Sequence, residues 1–295
     1  MENQRLRCYN PVTMEDKGEL PRALTVVDMQ RKRVYSENKK STDELYAFLD
    51  REYGSFCFLF YSLNTSDLGK QYIIRFLYLC TFMDYENKLV YGNAKGDRKY
   101  MTDTELKTVL KLNKVMTART KEALLNNGLL YTDEYDHIII NKEYSLRGKI
   151  EKVQKKSLYI RVFGNAIRDL YERATPREHK RLSLLVTLLP FINFNYNVVC
   201  YTPEAEFEYQ IRAMDMKAIC RIVKYPISQS SRLKKELLAL KVGGELVVAI
   251  VETGDSETIS INPRVYYRGG DLEILKPIWK FFSIKNLNLD IDIEK

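Results

Sequence analysis

At 295 residues, with a pI near 9.0 and a formal charge of +8, the chain is long enough for about two domains and should be drawn to polyanions. Its five cysteines, Cys8, Cys57, Cys80, Cys200 and Cys220, are odd in number and scattered, and with only two histidines they build neither a disulfide framework nor a metal site, so no cofactor is expected. No signal peptide opens the sequence and no apolar run approaches the roughly 20 residues that span a bilayer, which predicts a cytoplasmic chain with no membrane partner.

Residues 1–40 read as a basic arm, with Arg5, Arg7, Arg31, Arg33, Lys39 and Lys40 around one apolar segment, Ala23–Val27, that has the composition of a strand. From Ser41 a first unit begins, with a helix over Asp43–Tyr53, a strand over Phe56–Tyr61 and an apolar helix from Gly69 to Met83. Gly92–Gly96 lacks the order of a phosphate-cradling loop and reads as a plain loop. Thr102 then caps a helix Asp103–Leu110, Lys111–Lys114 makes a turn, and a second helix runs from Met116 to Asn126, stopped by Gly128. Leu129–Tyr131 and His137–Ile140 flank the polar tip Thr132–Asp136 as a β-hairpin. Helix, turn, helix and hairpin spell a winged helix over residues 41–148.

A lysine-bearing linker follows at 149–157, with Lys149, Lys152, Lys155 and Lys156, and a second unit then occupies 158–270. It starts with a strand Leu158–Phe163 and an apolar helix from Pro176 to Leu189. Asp215 caps Met216–Lys224, Pro226 enforces a turn, Ser228 or Ser230 caps a helix to Leu240, and Gly243–Gly244 ends it. A longer hairpin is expected through Glu245–Val251 and Thr258–Ile261, and 271–295 reads as a tail whose Pro277–Phe282 stretch packs on the body.

The two units repeat one another. Thr102–Leu125 lies on Asp215–Leu238 without a gap, matching Lys111 with Lys224, Arg119 with Arg232 and Lys121 with Lys234. Phe82–Val90 answers Phe191–Val199, and Ile140–Asn141 before Arg147–Gly148 recurs as Ile261–Asn262 before Arg268–Gly269. The expected fold is α+β, two tandem winged helix-turn-helix domains with flexible N- and C-terminal tails.

An α-helix fits the major groove and offers its N-terminal side chains to base edges. The expected DNA contacts are therefore Lys111, Lys114, Thr117, Arg119, Thr120 and Lys121 in the first unit, and Lys224, Ser228, Gln229, Ser230, Arg232, Lys234 and Lys235 in the second. A basic helix alone is more often a solvated face, and the recurrence of Arg119 as Arg232 and Lys121 as Lys234 is what tips the reading. Arg147 and Arg268 either bind phosphate or lock the last strand. The hairpin tips carry Asp133, Glu134 and Asp136, and Glu252, Asp255 and Glu257, which would repel phosphate and are expected to face solvent, the other unit or a protein. Enzymatic patterns are missing: His137 and His179 are far apart in sequence, and no Gly-x-Ser-x-Gly elbow occurs, so no enzyme and no catalytic residue is expected. Most of the 21 tyrosines and 12 phenylalanines fall at apolar positions and read as core.

In Phe82–Val90, Arg119–Leu130 and Ile140–Asn141, and again in Ile261–Gly269, the chain resembles the RepL-like replication initiators of small Firmicute plasmids. The resemblance implies a winged-helix initiator that binds origin DNA and recruits host replication factors. Its doubling departs from that family, which usually carries one unit, and is similar in architecture to plasmid initiators that bind repeated origin sites and to duplicated phage transcription regulators. The expected partner is double-stranded DNA, with host replication or transcription proteins besides, and the chain acts as monomer or homodimer. A mobile-element transcription regulator and a protein-interaction module with degenerate winged helices are the alternatives.

Overall fold

A computed structural model of the chain describes residues 7–9, 16–19, 26–61, 63, 68–92, 98–150, 158–253 and 256–291, in a mixed α+β architecture. Residues 1–47 and 48–295 form separate units. In the first, β1 (Arg7–Tyr9) pairs antiparallel with β2 (Asp16–Glu19), and α1 (Val26–Tyr53) begins. The strand expected at Ala23–Val27 is corrected at Val26 and Val27, which are helical; residues 23–25 lie outside the described ones. The boundary expected after residue 40 falls inside α1, because the Thr42 hydroxyl donates back to the Asn38 carbonyl (2.8 Å) instead of capping a new helix.

In the second unit the end of α1 is followed by β3 (Phe56–Phe60), α2 (Lys70–Cys80), β4 (Val90–Tyr91), β5 (Lys99–Tyr100), α3 (Asp103–Leu110), α4 (Lys114–Asn126), β6 (Leu130–Thr132), β7 (Ile138–Ile140) and β8 (Ser145–Leu146). A second set follows: β9 (Tyr159–Phe163), α5 (Gly164–Arg173), α6 (His179–Thr187), α7 (Met216–Ile222) and α8 (Ser230–Leu238). It closes with β10 (Lys241–Val242), β11 (Glu245–Leu246), β12 (Val248–Thr253), β13 (Ser256–Ile261), β14 (Tyr266–Tyr267) and α9 (Leu272–Ile291). Of the expected linker and loop, residues 151–157 and 93–97 lie outside the described residues.

Three expectations are revised. Helix α5 was not foreseen, although Ala166, Ile167, Leu170 and Tyr171, all buried, recur at helical spacing. Gly243 and Gly244 do not merely stop α8: with φ of 55° and 85° they turn β10 back onto β11. The C-terminal tail is helical through Ile291, held by buried Leu275 and Phe282 and by Trp279, whose ring meets Phe48 edge-on at 5.7 Å.

Strand β3 is apolar at every position and needs cover on both faces. Antiparallel β9 lies beside it, with Phe56 opposite Phe163, Phe58 opposite Arg161 and Phe60 opposite Tyr159. The outer strands complete a four-stranded sheet, β14-β9-β3-β8. Phe58 and Leu59 pair with Leu146 and Ser145 on one side, and Arg161 and Val162 pair with Tyr267 and Tyr266 on the other. Each of these residues in one repeat meets the partner that its counterpart meets in the other, so the sheet has an internal pseudo-two-fold axis through the Phe58–Arg161 pair. One contiguous core runs through both repeats, with α2 packed on α6 and Tyr78 stacked on Tyr171 at 3.8 Å.

Two buried asparagines show how closely the repeats agree. Asn87 has φ 67° and its side-chain nitrogen donates to the carbonyls of Ile140 (3.1 Å) and Ser145 (2.7 Å). Asn197 has φ 54° and donates to Ile261 (3.1 Å) and Tyr266 (2.7 Å). The match of Phe82–Val90 with Phe191–Val199 thus needs one added residue in the second copy: Met83 bridges Leu89, whereas Ile192 bridges Val199. Asparagine suits the site because it tolerates the left-handed conformation and satisfies two carbonyls that the hairpin leaves open. Asn87→Ala and Asn197→Ala should each destabilise the chain by about 2–3 kcal/mol in chemical denaturation, from lost hydrogen bonds and left-handed strain together; a cost near zero at either position would contradict this account.

Candidate functional site

The two helix-turn-helix segments are built by matching local rules. The Glu105 carboxylate accepts from the Thr102 N–H (2.9 Å) and hydroxyl (2.7 Å), bonds that hold its pKa below the usual range, and Asp215 accepts from the Ala218 N–H (2.7 Å). The first helix of each pair then ends at a lysine in the left-handed region, Lys111 and Lys224, both at φ 53°. Asn113 caps α4 through the Met116 N–H (2.8 Å), while a single 3₁₀ turn, Ile227–Gln229, leads into α8. These turns hold the second helices against the core through buried Leu124 in α4 and Leu233 and Leu237 in α8.

The expected contact residues fall into three groups. Lys114, Arg119, Lys224, Ser228, Gln229 and Lys235 are exposed, as are Lys111, which pairs with Glu172 (3.1 Å), and Arg232, which pairs with Glu236 (3.1 Å). Ser230 is half-buried at the start of α8. Lys121 and Lys234 are partly covered and each holds a carboxylate: Asp103 at 2.6 Å and Glu257 at 2.7 Å.

Two threonines of the set are corrected and two arginines are half-buried. Thr120 is fully buried, donates to the Met116 carbonyl (2.7 Å) and accepts from Arg75 Nη1 (2.9 Å), so it is a packing residue. Thr117 is 7% exposed and its hydroxyl donates to the Asn113 carbonyl (3.0 Å). Arg147 donates to the Met83 carbonyl (2.6 Å) and lies 5.5 Å from the Tyr85 ring. Arg268 sits 3.4 Å from the Phe194 ring centre, and burial lowers its pKa. Both arginines are held by contacts within their own repeat while remaining partly exposed.

The hairpin acids also divide. Burial acts to raise the Asp133 pKa, yet its carboxyl is pulled down to about 2, because it accepts from the His137 N–H (2.9 Å) and Tyr135 N–H (3.0 Å) and lies near the His137 ring and Lys88 (3.2 Å). It shapes the turn, whereas Glu134 and Asp136 remain exposed. Glu257 accepts from Lys234 Nζ and lies 3.4 Å from the Met216 N–H. Met216 occupies the helix position that Asp103 holds in the first repeat, so a carboxylate reaches the same place from the hairpin. The side chains of Glu252 and Asp255 lie outside the described residues.

Behind the helices, the seam between repeats is polar and aromatic. Tyr171 stacks on His179 at 4.3 Å and donates to the Leu110 carbonyl (2.9 Å), and His179 accepts from Arg75 Nε (3.3 Å). Among the described residues no cluster of three metal-binding side chains occurs, and no helix is long and apolar enough to cross a membrane.

Burial, reinforced by Arg75, lowers the His179 pKa from its ordinary 6.5 to about 4. The unfolded chain therefore takes up this proton at a higher pH than the folded one. The His179 contribution to stability is complete above about pH 6.5 and falls as the pH drops toward 4, by on the order of 3 kcal/mol. Denaturation series at several pH values should show a steeper loss across that window in the wild type than in His179→Gln; equal slopes would refute the assignment.

Compared with family models, with curated proteins and with solved structures, the chain finds no match.

Proposed function

We propose that the chain is a sequence-specific duplex DNA-binding protein made of tandem winged helices, acting as a replication initiator of a plasmid or phage. The order of helix, strand, helix, turn, helix and antiparallel hairpin in the first repeat fits a winged helix, and the second follows it with isolated bridges at Val198, Val199 and Cys200 in place of the strand; α4 and α8 are the helices that would enter the major groove. One observation carries the reading. Each of these helices buries one face, Thr117, Thr120 and Leu124 on α4 and Leu233 and Leu237 on α8, and leaves cations or amides outward: Lys114 and Arg119 on α4, and Gln229, Arg232 and Lys235 at the start of and along α8. Arginine can pair with guanine and glutamine with adenine through two parallel hydrogen bonds.

The pseudo-two-fold sheet supports paired readout, because it relates the two helices as a dimer axis relates those of a symmetric reader. The expected target has two half-sites in inverted orientation, about 10 base pairs apart. They need not share a sequence, since Arg119 recurs as Arg232 but exposed Ala118 is answered by exposed Ser231. Replication is favoured over transcription by the resemblance of Phe82–Val90 and Ile261–Gly269 to initiators. A protein partner such as a host replication factor has its own support: Phe207 and Tyr209 stack at 5.6 Å while 52% and 83% exposed, in a loop whose Glu204, Glu206 and Glu208 would repel phosphate.

Selection from a random duplex library at about 150 mM salt should enrich a two-part motif. Arg119→Glu and Lys235→Glu should each weaken binding to the selected site by about tenfold or more, with the fold intact by thermal melting. If nothing is enriched at that salt, the DNA-reading proposal fails.

A further inference from the structure

Beside α8 lies a cleft of about 230 Å³ that the sequence pattern did not disclose. Lys70 enters it from the start of α2, Arg177, Lys180 and Arg181 from the approach and first turn of α6, and Arg232 from α8, against the single carboxylate of Glu236. These elements are far apart in sequence, so no local run of charge announces them. Glu236 is already shared, at 3.1 Å from Arg232 and 3.5 Å from Arg181. Lys70 donates to the Val223 carbonyl (2.7 Å), and Arg177 and Lys180 are exposed with no carboxylate within salt-bridge distance among the described residues.

Five like charges around one opening repel each other, and Glu236 together with Glu178, 3.9 Å from Arg181, cannot offset them. The arrangement is stabilised when an anion enters. The opening is of a size for one phosphate group, Arg181 and Arg232 offer planar forks to its oxygens, and Tyr225 and Leu184 form a less polar wall. Lys70 is partly desolvated and its pKa is lowered by that burial and by Lys180 and Lys224 nearby, a field that a bound anion would relieve.

The first repeat has no counterpart of the cations that the second repeat brings to this cleft. Counted back from the matched Met83 and Ile192, the positions of Arg177, Lys180 and Arg181 are held in the first repeat by Leu68, Gln71 and Tyr72.

We propose that this cleft is a phosphate-binding site that holds a backbone phosphate of the DNA read by α8, an inference that rests on the DNA-binding reading for the source of the phosphate but not for its chemistry. Arg232 joins the two functions, since it lies on the outward face of α8 and also lines the cleft. The second repeat therefore supplies more of the sequence-independent hold, and the first relies more on its base contacts.

The test uses the full chain carrying Arg177→Glu with Lys180→Glu, two exposed positions at which the fold should survive, as checked by thermal melting. Affinity for the selected duplex is measured across a salt series, and wild type and variant are titrated with inorganic phosphate and with a nucleoside triphosphate. The expected result is a loss of about tenfold or more, with the slope of log K against log salt shallower by about 2 and the selected motif unchanged. Unaltered duplex affinity together with phosphate or nucleotide binding that the variant loses would support the phosphate site and move its source to a free ligand. Unaltered affinity and slope with no binding of either small anion would overturn the proposal while leaving DNA recognition intact. A wild type that enriches no duplex would instead remove the DNA reading, and the anion titrations alone would then decide the cleft.

Discussion

The pairing of β3 with β9 is the constraint on which the rest of the second unit depends. An all-apolar strand such as Phe56–Phe60 is costly to leave at an open edge, and its neighbour here is the corresponding strand of the other repeat. Because the two run antiparallel about Phe58 and Arg161, each face of the joint sheet draws on both copies: Cys57, Leu59, Ile160 and Val162 belong to the main core, while Phe58, Phe60 and Leu146 form a smaller cluster against which Tyr159 of the second repeat packs. The helices α2 and α6 follow their strands and meet across the same axis. Residues 48–295 thus fold as one unit although they carry two copies of one plan.

Symmetry is kept where backbone demands it and dropped where only volume must be filled. Asn87 and Asn197 answer the same open carbonyls, and Asn141 and Asn262 likewise each donate across the hairpin, to Gly128 (2.8 Å) and Leu246 (2.9 Å). At the centre of the sheet, however, Phe58 faces Arg161, whose guanidinium donates to the carbonyls of Arg268 (3.0 Å) and Gly269 (2.9 Å). Thr120, which takes a hydrogen bond from Arg75, corresponds to buried Leu233 in the second copy. A satisfied polar pair and an apolar residue are interchangeable in a core, but an unpaired polar group is not, so such positions change together.

Much of this was legible from the residues. Helix α3 has the limits that Thr102, Glu105 and the apolar spacing imply, and the gap-free match of Thr102–Leu125 with Asp215–Leu238 places both left-handed lysines at equivalent turns. What escaped has physical reasons. Sequence periodicity cannot say which strands pair across a duplication, so two separate bodies seemed as natural as one. Thr117 and Thr120 looked like base readers because a hydroxyl is equally at home on a phosphate and folded back on its own helix. The basic cleft was missed because its members come from three elements that only tertiary structure brings together.

The departures from symmetry bear on how the proposed DNA face would work. Lys121 and Lys234 are matched, yet one is neutralised by Asp103 at the head of α3 and the other by Glu257 from the hairpin. The pairing in the second repeat ties its hairpin to its outward helix. Among the described residues the first repeat shows no ion pair between α4 and its hairpin, and its Asp133 is engaged by the turn and by Lys88. With cations gathered beside α8 and the Glu257 carboxylate linking that helix to its own hairpin, the second repeat would serve the proposed DNA face as an anchoring module. The first, with Arg119 exposed and the Arg75–Thr120 bond fixing its helix from behind, would then serve as the reader. Duplication would then have served less to double one contact than to let affinity and selectivity be carried by different copies of the same fold.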